Sequence, residues 1–181
     1  MIERTLILVK HDGVARGLIG EVIKRFENMG MDMGGMKMIW ADERTADKHY
    51  VATKEWVKGV AEKTRKAFAE RGIAIKDSDE EIANRVKEWN KRFLCEGPVV
   101  ALVVQGPHAV ELGRKIIGHT EPRQALPGTI RGDFSFDSYQ LGDKEQRPIR
   151  NLVHASGSRE EAEREIALWF DKKEISAYKK K

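Results

Sequence analysis

The chain has 181 residues, 40% of them hydrophobic and 34% charged, with a formal net charge of +4. That size allows one compact domain over residues 1–181, and the balance is that of a soluble globular protein. It excludes a membrane span, because no apolar run approaches the ~20 residues that cross a bilayer.

Residues Met1-Ile-Glu-Arg-Thr-Leu6 lead straight into a strand-like run, with no signal-peptide pattern. The one cysteine, Cys95, has no internal partner, so a reducing, cytoplasmic setting is expected. Charge is uneven along the chain. Residues 171–181 form a basic tail with five Lys against Asp171 and Glu174, a net +3, which leaves about +1 for the body. A body so nearly neutral argues against nucleic acid as a partner.

Thr5 to Val9 is a short aliphatic and β-branched run, read as a strand buried on both faces. It ends in a turn, Lys10-His-Asp-Gly13, that presents one cation. Leu18, Ile19, Val22, Ile23, Phe26 and Met29 make a helical stripe that Gly30 stops. Met31 to Trp40 reads as a second strand, with a bulge at Gly34-Gly35. Its methionines are read as core filling, since no Cys or His accompanies them. A short helix starting near Asp42 carries His49-Tyr50.

Between 54 and 96 the periodicity predicts a helical hairpin. Trp56, Val60, Ala67 and Phe68 mark its first helix; Ile82, Val86, Trp89 and Phe93 mark its second, opened by the capping box Ser78–Glu81. The tryptophans are read as packing residues. Pro98 to Val104 is the strongest strand, and Gly106-Pro107 is expected to open a helix that Gly118 closes. From 119 to 150 the periodicity fades into an irregular connection of the kind that carries function. Arg131 in its Pro127–Phe134 block, with Arg114 and Thr120 ahead of that block, could form a side-chain phosphate clamp; no Walker-type glycine loop is present.

Ile149 to Val153 reads as the last strand, delivering His154 to its end. Ser158 and Glu161 cap the helix that follows, and helical spacing sets Glu161 and Glu165 one turn apart, so either could reach the imidazole. The order of elements is βαββαβ with added helices, an α+β ferredoxin-like sandwich on a four-stranded antiparallel sheet.

Six blocks in order carry a resemblance. Lys10, Arg16-Gly-Leu-Ile-Gly-Glu21, His49-Tyr50, Gly97-Pro-Val-Val100, Pro127-Gly-Thr-Ile-Arg-Gly-Asp-Phe134 and Asn151-Leu-Val-His154 look like nucleoside diphosphate kinase. The resemblance implies a ping-pong phosphotransferase that moves the γ-phosphate of ATP or another nucleoside triphosphate to a nucleoside diphosphate through a phosphohistidine on His154. It implies that Arg114, Thr120 and Arg131 hold the phosphates and that Lys10 and Asn151 reach the sugar and phosphate region. Tyr50 would lie beside His154, and Glu165 would orient it. Mg²⁺ would arrive with the nucleotide, with no protein metal cage, and a homo-oligomer, hexamer or tetramer built from dimers, is implied.

The chain departs from the family's pattern at His11, at Ala155 and at Gly157. It carries a longer hairpin over 54–96 and an extended loop over 135–148. Which of Trp56, Phe68, Trp89 or Phe93 meets the base stays open. A nucleotide- or nucleic-acid-binding protein without catalysis is the competing reading.

Overall fold

The computed structural model describes residues 2–176; the Lys179-Lys180-Lys181 end of the basic tail lies outside them. Strands β1 (Ile2–Val9), β2 (Asp32–Ile39), β3 (Val99–Pro107) and β4 (Val153–Ala155) form one sheet in the order β2-β3-β1-β4, every pairing antiparallel. The helices are α1 (His11–Ala15), α2 (Ile19–Asn28), α3 (Glu43–His49), α4 (Lys54–Ala69), α5 (Asp79–Cys95), α6 (Ala109–Ile117), α7 (Ile130–Phe134), α8 (Tyr139–Lys144) and α9 (Arg159–Trp169). This is the α+β, ferredoxin-like βαββαβ sandwich that the order of elements predicts.

The sheet has a core on each face. Ile7 and Val9 of β1 pack with Val22 and Phe26 of α2 and with Ile116 and Ile117 of α6. Leu6 and Leu8, pointing the other way, pack with Ala46 of α3, Leu94 of α5, and Ile166 and Trp169 of α9. Alternate residues of a strand face opposite sides, so an unbroken aliphatic run is what a strand covered twice requires. Leu6, Ile7, Leu8 and Val9 are fully buried, and each stabilises the fold by ~1.5–3 kcal/mol through apolar burial.

Five local expectations change, the first around β2: of the methionines read as core filling Met31 is buried, while Met29, Met36 and Met38 are exposed, the last two because β2 is an edge strand. Lys10–Gly13 is not a plain turn: α1 starts at His11, with Lys10 as its N-cap residue. Gly13 lets this helix lie against the sheet, because a Cβ there would meet Val9 Cγ1 at 2.9 Å and the Leu152 carbonyl at 3.1 Å. Pro107 does not open a helix. It pairs with Ile2 as the last residue of β3, and α6 begins at Ala109 after His108, whose φ is 55°. The connection from 119 to 150 holds α7 and α8, of 5 and 6 residues, too short for a 3.6-residue period to repeat. Finally, β4 begins only at Val153, because Leu152 at φ 66° interrupts the extended backbone; His154 lies inside the strand, paired with Leu8, and not after it.

The bulge at Gly34-Gly35 is present as a register shift between Met33 and Gly35. The second hairpin helix starts at the Ser78 capping box, and α4 and α5 pack on each other, with α3 and α8 as neighbours. No helix among the described residues is long and apolar enough to cross a membrane.

Candidate active site

His154 and Leu8 are paired across β4 and β1, so their side chains share the sheet face covered by α9 and α3. Glu165 of α9 comes down on that face with 1% of its surface exposed. Its Oε2 lies 2.9 Å from His154 Nε2 and accepts from Ser156 Oγ at 2.7 Å. Burial alone would raise the Glu165 carboxyl, but the attraction of a protonated ring at 154 and the hydrogen bonds from His154 and Ser156 hold it down at about 2. An ionised carboxylate accepts, so the ring proton of neutral His154 sits on Nε2 and Nδ1 keeps its lone pair. Glu161, the other candidate, turns back to accept from Gly157 N at 2.7 Å. That bond and the Ser158 cap on Glu161 N order the helix start without an acidic side chain at 157.

His154 lines a cavity of about 370 Å³, together with Lys10, Tyr50, Arg114, Thr120, Arg131 and Asn151. Small-molecule sites commonly measure ~300–1,000 Å³. Asn151 ties two of the cations together. Its Oδ1 accepts from Lys10 Nζ at 2.8 Å, its Nδ2 donates to the Thr120 carbonyl at 2.9 Å, and its own carbonyl accepts from Arg131 Nε at 3.1 Å. Burial lowers Lys10 to about 8, with the Arg131 charge adding to the effect and Asp12 opposing it. Lys10 therefore stays mostly cationic at neutral pH.

Arg131 is 5% exposed. Besides Asn151 it donates to the Gly118 carbonyl at 3.0 Å and the Val153 carbonyl at 2.6 Å. Three of its five N–H groups are thus taken by backbone, which fixes the plane of the guanidinium and leaves two for a ligand. Burial pulls it down to about 10, still charged at neutral pH. Its loop is pinned from α2: Arg25 pairs with Asp133 at 2.7 Å and donates to the Gly128 carbonyl at 2.7 Å, while Glu21 aligns Arg25 at 2.7 Å. Gly118, at φ 84°, closes α6, and a Cβ there would lie 2.4 Å from Thr129 Oγ1. Arg114, in the last turn of α6, is exposed at the cavity wall.

The opposite wall comes from the hairpin and from α8. Trp56, Val60 and Trp89 of the hairpin line it, as do Tyr139 and Asp143 of α8 and Arg147 just after it. The tryptophans read as packing residues are thus cavity residues. Phe93 packs instead against His11 at 4.2 Å, and Phe68 takes the Arg71 guanidinium at 5.3 Å. The loop carrying α8 is clasped by Asp137, which accepts from Arg147 Nη1 at 2.6 Å and from Arg150 N at 2.6 Å.

Sequence reasoning passed over Ser156 and the depth of His49. His49 is 3% exposed with its ring centroid 4.6 Å from that of His154; its place beside Tyr50 at the end of a helix was the only signal. Among the described residues, His49, His154 and Glu165 are the one group of three potential metal ligands.

The nucleoside diphosphate kinase family model matches residues 3–75 and 80–175, breaking at the turn between α4 and α5. Nucleoside diphosphate kinases from Pyrobaculum aerophilum and Pyrococcus furiosus are 42% and 45% identical over 179 and 177 residues. These spans cover 96% and 98% of this chain and 98% and 88% of theirs. The crystal structure of an NDP kinase from Pyrobaculum aerophilum superposes with a TM-score of 0.92 at 40% identity, over 97% of this chain and 100% of that one. A transition-state mimic of nucleoside-diphosphate kinase from Borrelia burgdorferi, with bound vanadate and ADP, gives 0.82 at 37% identity, over 99% and 93%.

Proposed function

The chain belongs to the nucleoside diphosphate kinase family and moves the γ-phosphate of a nucleoside triphosphate to a nucleoside diphosphate, and on that premise we propose that His154 carries the phosphoryl group between them. The observation that supports this most is the pairing of His154 Nε2 with buried Glu165, 2.9 Å apart, in a cavity that also holds Lys10, Arg114 and Arg131. With Nε2 engaged, Nδ1 is the nucleophile. Its lone pair forms a bond to the γ-phosphorus as the bond to the β–γ bridging oxygen breaks, and the nucleoside diphosphate leaves. An oxygen of a second diphosphate then takes the phosphoryl group and restores the ring.

Phosphorylation puts positive charge on the imidazole, and the Glu165 carboxylate on Nε2 offsets it. Phosphoryl transfer has a loose transition state with charge spread over the equatorial oxygens, so positioned cations do most of the work. Lys10, the two remaining N–H groups of Arg131, Arg114 and the Thr120 hydroxyl fill that role; Asn151 holds Lys10 and the Thr120 backbone in place. Tyr50 closes the site beside His154. Trp56 and Trp89 offer faces on which any base can stack, which fits a kinase tolerant of its base.

Mg²⁺ is read as part of the nucleotide substrate. The phosphate end of the cavity is cationic, and the cluster of His49, His154 and Glu165 offers two imidazoles and one carboxylate, a poor set for an ion that prefers six oxygens. The ion would neutralise phosphate charge from a shell of phosphate oxygens and water. Self-association is supported by Met36, Met38 and Trp40, exposed on and just beyond edge strand β2; a second copy of the chain is the occupant we assign to that edge. The lone half-buried Cys95 agrees with a reducing cytoplasm.

The test is transfer from γ-labelled ATP with Mg²⁺, followed by a chase with unlabelled diphosphate. We expect acid-labile label on wild-type protein that the chase removes, and none on His154→Ala. Label that survives the chase, or label on the variant, would remove His154 as carrier.

A further inference from the structure

Two buried side-chain atoms beside the nucleophile have no hydrogen-bond partner among the described residues: Glu165 Oε1 and His49 Nε2. They belong to one packed group. His49 Nδ1 lies 3.4 Å from Glu165 Oε1 and accepts from Trp169 Nε1 at 3.3 Å. The His49 ring stands edge-on to His154 at 4.6 Å, Tyr50 at 4.9 Å and Trp169 at 5.7 Å. The His49 and Glu165 side chains are each 1% exposed.

We propose that His49 is a positioning residue for the transfer, a ring tied from behind by Trp169 that holds the Glu165 carboxylate in one orientation and thereby keeps His154 Nδ1 turned to the cavity. An indole N–H can only donate, so Nδ1 of His49 must accept and the ring proton must sit on Nε2. Nδ1, its lone pair taken by the indole N–H, then has no proton to offer Oε1 3.4 Å away, acceptor against acceptor. Rotation of the carboxylate towards His49 would press negative oxygen onto that lone pair, so Oε2 stays with Ser156 and His154. The arrangement works only while His49 is neutral. A proton on Nδ1 would displace the Trp169 bond and draw Glu165 into an ion pair away from His154. Burial keeps that proton off, lowering His49 to about 3; His154, Lys10 and Arg164 add to the effect and Glu165 opposes it.

The proposal rests on His154 as phosphoryl carrier, and two variants test it on the full chain. His49→Phe keeps the ring and removes both nitrogens. His49→Asn keeps an acceptor for Trp169. Single-turnover labelling should slow on the order of 100-fold in His49→Phe, the scale of a small misplacement at a reacting centre, with nucleotide affinity unchanged and most of the rate restored in His49→Asn. The ¹⁵N shifts of His154 should report one Nε2–H tautomer in wild type and a mixture in His49→Phe. Wild-type rate in His49→Phe overturns the proposal. So do equal losses in both variants with the His154 tautomer unchanged, since that is packing alone. If His49→Phe does not fold, the wild-type spectrum decides: His49 neutral and Nε2-protonated from pH 7 to pH 5 supports the proposal, and titration at its ordinary pKa overturns it. Failure of wild type to label at His154 would remove the carrier itself, a separate result.

Discussion

Lys10 and Asn151, 141 positions apart in sequence, meet in a 2.8 Å hydrogen bond at the floor of the cavity. One closes β1 and the other precedes β4, and the antiparallel pairing of those strands brings them together. Burial makes the Lys10 cation expensive for the fold. Lys10→Met should therefore leave the urea midpoint unchanged or higher, while phosphoenzyme formation falls by roughly 10²–10³, the scale of losing one preorganised charge-stabilising group. Unfolding curves and single-turnover labelling on the same preparation check both halves.

Glu165→Gln preserves shape and removes charge. The amide can still accept from Ser156 and His154, so far-UV circular dichroism should match wild type. The imidazole loses the anion that offsets its charge on phosphorylation, and the forward step should slow by about 10²-fold. If Glu165 only packs, labelling by Glu165→Gln would run at the wild-type rate.

Stability should fall with acid over a defined range. Glu165 is held near 2 in the folded chain, below its ordinary 4.5, so the stabilisation it provides is complete above 4.5 and is lost as pH drops towards 2. His49 is held near 3, below its ordinary 6.5, so between those values the unfolded chain binds the extra proton and acid favours unfolding. Both act in the same direction, and the His49 part begins first, just below pH 6.5. Urea midpoints at pH 7 and pH 4.5 should differ in wild type and differ less in His49→Phe.

Trp56 and Trp89 should be separable from the phosphate chemistry. Replacing either residue that stacks on a base costs ~1–3 kcal/mol of binding, expected as a higher KM with kcat nearly unchanged for Trp56→Ala and Trp89→Ala. Phe68→Ala should leave KM alone, since Phe68 meets Arg71 outside the cavity lining; Phe93 is no such control, because its ring lies 5.9 Å from Lys10 Nζ. Steady-state kinetics with one purine and one pyrimidine diphosphate would show whether KM follows this division.

The strands and longer helices were legible in the sequence because their causes are local. An aliphatic run such as Leu6–Val9, too short for a helix of its own, reads as a doubly covered strand, and Ser78 with Glu81 is a helix-start signature that needs no distant partner. The ordered blocks from Lys10 to His154 carried the family for a similar reason, each being a short contiguous string. Distance in space was not legible. Helical spacing left Glu161 and Glu165 equal, and the crossing of α9 over β4 decided for Glu165 by burying it against His154 while Glu161 turned to Gly157. The same packing set His49 behind the nucleophile, turned Trp56 and Trp89 into cavity wall, and bound Arg131 to carbonyls of two separate segments, Gly118 in one and Asn151 and Val153 in the other. Periodicity reports which side of an element is apolar; which residues meet across the sheet depends on register and crossing angle, and these exist only once the chain is folded.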